Sequence, residues 1–180
     1  MVYIMKIYVD GGCRNNGRSN RVAAAAAVVE MRWGKHKSYK RYLPQGPNPP
    51  TNQRAEITAI ILALEVGLQK YGELHSDQYM DVTIYSDSKY AVGCMTEYIH
   101  KWRRNGWTNA AGNPVKNQDL IKKAMELHDE LHREGNVEYS WIPRSENELA
   151  DQICNDAMDE MVVQGHEFDM YDSDASSEWW

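Results

Sequence analysis

Four acidic residues stand where apolar runs meet polar ones. Asp10 follows IMKIYV (residues 4–9) and Asp87 follows VTIYS (82–86), while Glu56 opens the apolar stretch of TNQRAEITAIILALE (51–65) and Asp151 lies early in a last helical segment. One such carboxylate has an ordinary explanation: Glu56 sits near a helix start, where the helix dipole favours a negative charge by about 0.3 to 1 kcal/mol. Four at the ends of neighbouring elements suggest a cluster. Within about 5 Å of one another, each ionised pair would cost roughly 3 kcal/mol at an effective dielectric near 20. Hard divalent cations offset that cost, and Mg²⁺ characteristically combines carboxylate oxygens with water and substrate phosphates. Two such ions about 4 Å apart can activate a water and stabilise the leaving oxygen of an in-line phosphodiester displacement. The chemistry expected of the four acids is therefore phosphodiester hydrolysis.

The elements that must position these acids follow from the hydrophobic pattern. Residues 4–9 read as a buried strand, followed by a glycine- and asparagine-rich loop, GGCRNNG (11–17). VAAAAAVVEM (22–31) reads as a tightly packed strand, although its alanines also suit a helix. HKSYKRYL (36–43) completes an antiparallel meander, and PQGPNPP (44–50) forces a loop. Ile57, Ile60, Ile61, Leu64 and Leu68 then recur at the period of an amphipathic helix. Strand 82–86 leads into a helix from SKYAVGCMTEYIHKW, and strand 137–142 leads through PRSENE to the last helix. The order β-β-β-α-β-α-α-β-α implies an α/β fold: a five-stranded mixed sheet, its first three strands antiparallel, flanked by helices. In such sheets, sites form outside strand ends, where the loops converge.

A chain of 180 residues suits one domain with a real core. Lys6 interrupts the first apolar run, and no later stretch is apolar for long enough to span a membrane, so a cytoplasmic protein is expected. Cys13, Cys94 and Cys154 are odd in number and far apart, which suggests reduced thiols rather than a disulfide framework or a zinc site. The net charge of −6 conceals a split. The last basic residue is Arg144, and residues 145–180 hold 11 acids, leaving 20 basic against 15 acidic residues, a net of +5, in residues 1–144. A basic body is compatible with a nucleic-acid partner.

Over residues 3–163 the chain resembles ribonuclease H of type 1. The resemblance rests on YVDGG around Asp10, TNQRAEI around Glu56, YSDSKY around Asp87 and ENELAD ending at Asp151, with HKWRRNGWTNAAGNPVKNQDL (100–120) similar to the family's basic protrusion. It implies the ribonuclease H-like fold and an endonuclease that cuts the RNA strand of an RNA/DNA hybrid, leaving 5′-phosphate and 3′-hydroxyl ends. It makes Asp10, Glu56, Asp87 and Asp151 the catalytic ligands of two Mg²⁺ ions, Mn²⁺ being able to substitute. Asp10 would bridge the ions, and Glu56 would also meet a ribose 2′-hydroxyl, the group that distinguishes RNA from DNA.

The resemblance also implies substrate contacts. Cys13, Asn15, Asn16, Asn52 and Gln53 match minor-groove positions, with Gly11 beside them. Thr51 and Asn117 match a pocket for a DNA-strand phosphate, although Pro49 stands where the family usually has an arginine. Tyr98 and Trp102 match an aromatic channel for the DNA strand, supplemented by the charges of Lys101, Arg103 and Arg104. Many relatives carry a histidine in the loop before the final acid. Here none lies between His132 and Asp151, as in some shorter relatives, which leaves Arg144 or Glu148 as a partial substitute.

Two other readings compete: a hybrid-binding module without activity, and another two-metal nuclease of this fold. Exonucleases of the fold place an Asp-x-Glu pair on the first strand, whereas Gly11 and Gly12 follow Asp10 here. The expected organisation is a catalytic domain over residues 1–163 with no amino-terminal hybrid-binding domain, acting as a monomer. Residues 164–180 form an acidic tail whose composition suggests disorder, or docking on the basic protrusion or a protein partner.

Overall fold

Alanine makes the second strand possible at the centre of this fold. In the computed structural model, which describes the backbone over residues 1–74 and 78–174 and side chains over 1–74 and 78–164, β2 (Val22–Glu30) lies between β1 (Val2–Arg14) and β3 (His36–Tyr42). Ala23, Ala25 and Ala27 face one core cluster and Ala24 and Ala26 the other, all with no exposure. Helices pack on both faces, α1 (Asn52–Glu73) on one and α5 (Glu148–Asp174) on the other. Methyl groups leave room for both, so packing overrides alanine's preference for a helix.

The sheet is completed by β4 (Tyr79–Ser86) and β5 (Gly135–Trp141), in the order β3-β2-β1-β4-β5. Pairing is antiparallel from β1 to β3 and parallel from β1 through β4 to β5, the mixed sheet expected from the order of elements. Between β4 and β5 come α2 (Lys89–Gly93), a π-helical turn (Cys94–Tyr98), α3 (Ile99–Arg104) and α4 (Gln118–His132).

Two expectations change. Residues 11–14 continue β1 instead of opening the loop, because Gly11 to Arg14 stay paired with Ala25 to Val22. And α1 is buried around most of its circumference, from Ala55 through Leu64 apart from Glu56, because α4 packs on the side away from the sheet. Cys13, Cys94 and Cys154 are free thiols. Among the described residues no helix is long and apolar enough to cross a membrane. The backbone of α5 runs on to Asp174, into the stretch read as an acidic tail, while residues 175–180, to which that reading also applied, lie outside the described residues.

Candidate active site

Strand register brings the first two acids together. Val9 of β1 pairs in parallel with Ser86, the last residue of β4, so Asp10, inside β1, comes level with Asp87, just past the end of β4. Asp10 is 8% exposed, held by the strands on either side.

Glu56 arrives from α1. Thr51 caps that helix, its Oγ1 accepting from the Arg54 N–H at 3.2 Å. The first turn can reach the sheet only because position 11 is glycine: a Cβ there would stand 2.2 Å from the Ala55 carbonyl and 2.4 Å from the Glu56 nitrogen. Asn52 accepts from the Cys13 N–H at 3.3 Å and donates to Glu56 Oε1 at 2.8 Å. The other carboxylate oxygen accepts from Ser88 Oγ at 2.6 Å, and Ser88 in turn caps α2 through the Ala91 N–H.

Asp151 is set by Asn147. The buried Asn147 donates from Nδ2 to the Val9 carbonyl at 2.9 Å, and its own carbonyl accepts from the Asp151 N–H at 3.1 Å. The start of α5 is thereby fastened next to Asp10. Asn155 donates to the Asp151 carboxylate at 3.2 Å, and Arg144 Nε donates to Asp87 Oδ2 at the same distance.

The electrostatics carry the mark of crowding. The Asp10 carboxyl is pushed up to about 6, first by burial and then by the charges of Asp87 and Asp151, against the opposing pull of Arg144 and the Gly11 N–H. Burial also raises Glu56; the Ser88 hydrogen bond opposes this, and Asp87 adds to it. A cavity of about 370 Å³ opens here, lined in part by Asp10, Asn52, Arg144, Asp151 and Asn155. Among the described residues no three His, Cys, Asp or Glu side chains form a ready-made metal cage. Asp10 and Asp151 line that cavity, whereas Glu56 and Asp87 do not. Oxygen-only donors beside an open cavity suit a hard cation that keeps waters and takes substrate oxygens. By that criterion the donor set fits Mg²⁺.

The residues matched to substrate contacts divide into groups. Asn52 and Cys13 flank the acids, and Gln53 is exposed beside them. Gly11 is buried against α1, so here it packs the helix in place. Asn15 has a left-handed backbone (φ 54°) and, with exposed Asn16, lies in the turn after β1. The Thr51 hydroxyl is engaged in its cap, and Asn117 donates to the Tyr90 hydroxyl at 3.1 Å. A two-pronged pair from Arg54 to Asp119, at 2.9 and 2.7 Å, ties the starts of α1 and α4, where Thr51 and Asn117 stand. Tyr98 and Trp102 adjoin with ring centres 5.5 Å apart, and Trp107 stacks on Trp102. Lys101, Arg103 and Arg104 are exposed, with Arg103 paired to Asp129 at 3.3 Å. Ser88, Asn147 and Asn155 escaped the sequence reading. Only the polar run SDS after β4 hinted at the first of them.

A sequence model of the RNase H family matches residues 3–166. The chain belongs to the ribonuclease H family. Among similar members, the ribonuclease H of Halorhodospira halophila is 33% identical over 164 residues, covering 89% of this chain and 96% of that one. The ribonuclease H of Neisseria meningitidis is 35% identical over 153 residues, 83% of this chain and 91% of its own. A crystal structure of LC11-RNase H1 in complex with an RNA/DNA hybrid matches with a TM-score of 0.57 at 26% identity, covering 88% of this chain and 99% of that one. In this ribonuclease H chain the order of elements and the mixed sheet agree with membership.

Proposed function

We propose that the chain hydrolyses the RNA strand of RNA/DNA hybrids, leaving 5′-phosphate and 3′-hydroxyl ends, with Asp10, Glu56, Asp87 and Asp151 holding two Mg²⁺ ions. The observation that carries this reading is the convergence of the acids in a chain of this family: β1–β4 register sets Asp10 level with Asp87, Gly11 lets α1 bring Glu56 against β1, and Asn147 fastens Asp151 beside Val9. When bound, the ions would supply a nucleophilic water and charge stabilisation at the leaving oxygen.

The chain's own residues prepare that chemistry. Asn52 and Ser88 hold the two oxygens of Glu56 and so fix the carboxylate's direction. Asn147 locks the approach of Asp151 to Asp10. Arg144, on the loop without a histidine, presents a cation to Asp87, Asp151 and Asp10 and supplies positive charge where a departing phosphate would gather. Tyr98, Trp102, Lys101 and Arg104 offer a stacking and basic surface for the DNA strand.

The test is cleavage of end-labelled RNA with Mg²⁺ and with Mn²⁺, presented as a hybrid, a single strand and a duplex, beside duplex DNA. Only the hybrid should be cut, with ends that ligate as 5′-phosphates. Equal cleavage of duplex RNA, or no cleavage of the hybrid with either metal, would remove the proposal.

A further inference from the structure

Away from the four acids, the β2–β3 hairpin concentrates positive charge. Residues 31–41 contain five Lys or Arg and no acid. Lys40 and Arg41 are engaged, with Glu160 and Glu65 respectively. Among the described residues Arg32, Lys35 and Lys37 form no ion pair, although Lys37 lies over the Tyr39 ring at 5.1 Å.

At the tip stands a tryptophan that the fold does not use. Trp33 is 89% exposed, with a left-handed backbone (φ 58°) followed by Gly34 at φ 70°. That conformation disfavours a bulky residue and turns the indole outward, giving up the large gain that burying it would bring. Next to it an open concavity of about 630 Å³ is lined by Trp33, Met31, Val2 and Ile4, with Arg32 and Lys35 among its walls and Glu30, which is paired to Lys6 at 3.8 Å, the one acid there among the described residues. Ile4 is 69% and Val2 56% exposed, so the apolar surface is continuous with the indole.

An accessible aromatic face among unpaired cations suits unpaired nucleic acid: a base stacks on the ring and the neighbouring phosphates meet Lys and Arg. A duplex presents phosphates but hides its base faces, which leaves the indole without a role. The hairpin is also remote from the acids. Asp10 pairs with Ala26, and the strands continue to Glu30 and His36 before the turn, about 13 Å further along the sheet. Occupation of one site does not block the other.

We infer that the β2–β3 hairpin is a second nucleic-acid contact that takes unpaired strand, stacking a base on Trp33 with Arg32 and Lys35 on its phosphates. It goes beyond the proposed hydrolysis and does not require it.

The test is fluorescence anisotropy in EDTA, where nothing is cleaved, with a labelled oligothymidylate, a blunt hybrid, and the same hybrid carrying a single-stranded overhang. The overhang should tighten binding several-fold. Trp33→Ala should lower oligothymidylate affinity about fivefold or more and cancel the overhang's gain, leaving blunt-hybrid binding unchanged. Trp33→Tyr should restore stacking, and the double variant Arg32→Ala/Lys35→Ala should flatten the salt dependence for the single strand without touching the ring. If oligothymidylate and overhang binding are the same in all variants, the inference is overturned. It is equally overturned if sedimentation shows Trp33→Ala only dissolving a dimer, since a second copy would then be the occupant.

Discussion

Arg144 Nε donates to Asp87 Oδ2 at 3.2 Å, which puts a largely exposed guanidinium against a carboxylate whose own side chain is only 11% exposed. The same cation lowers the proton affinity of Asp10 and Glu56, opposing burial and the neighbouring acids. Removing it should therefore raise both carboxyls further. In Arg144→Ala, the acid limb of the rate–pH profile at saturating Mg²⁺ should move to higher pH, while Arg144→Lys should hold it near the wild-type position. A limb that stays in place in Arg144→Ala would separate this arginine from the acids.

Asp10 carries the sharper pH signature. An acid with a folded-state pKa of about 6, above its ordinary 3.8, holds its proton more tightly in the folded chain. The contribution of Asp10 to metal-free stability is therefore greatest below about pH 4, falls as pH rises toward 6, and stays lower by about 2–3 kcal/mol above it. Asp10→Asn should abolish this dependence and raise the metal-free melting temperature at neutral pH by several degrees. The same variant should lose hybrid cleavage by at least about a hundredfold. A neutral-pH melting temperature lower than wild type would contradict the crowding on which the metal assignment rests.

The gathering of acids was legible because each consequential position ends or begins an apolar run, and parallel strands align such ends. Asp10 and Asp87 could be placed together from VTIYSD and IMKIYVD once β1 and β4 were neighbours. The path of residues 11–14 was not legible. Glycine and asparagine signal a loop locally, whereas Gly11 serves a strand pressed against α1 at Ala55 and Glu56, distant in sequence, a contact that only tertiary structure reveals. The alanines of β2 were ambiguous for the same reason: their small size matters only because α1 and α5 cover opposite faces. The residues that hold the acids, Ser88, Asn147 and Asn155, are polar side chains whose partners lie on other elements or one helical turn away, so their types alone said little.

Gly11 makes the packing of α1 testable apart from chemistry. A methyl group there meets backbone at 2.2 Å, which cannot rotate away, so α1 must retreat and take Glu56 with it. Gly11→Ala should destabilise the chain by about 1–3 kcal/mol and raise the Mg²⁺ concentration needed for half-maximal cleavage. Gly12→Ala is the control. Its Cβ meets the Met158 methyl at 3.0 Å, the end of a flexible side chain that can shift, so urea unfolding should show a much smaller loss.

Lys101 and Arg104 provide a test of the proposed DNA-strand surface that does not depend on catalysis. Both are exposed on α3 next to the Tyr98 and Trp102 rings, and among the described residues neither is in an ion pair, whereas Arg103 is held by Asp129. A free cation that meets a phosphate releases about one counterion, so the slope of log affinity against log salt records it. Lys101→Ala and Arg104→Ala should each flatten that slope for hybrid binding by about 0.7–0.9, with little change in thermal stability. Arg103→Ala should flatten it less, because Asp129 already neutralises that side chain. Equal slopes in wild type and all three variants would mean that the hybrid's phosphates pass elsewhere.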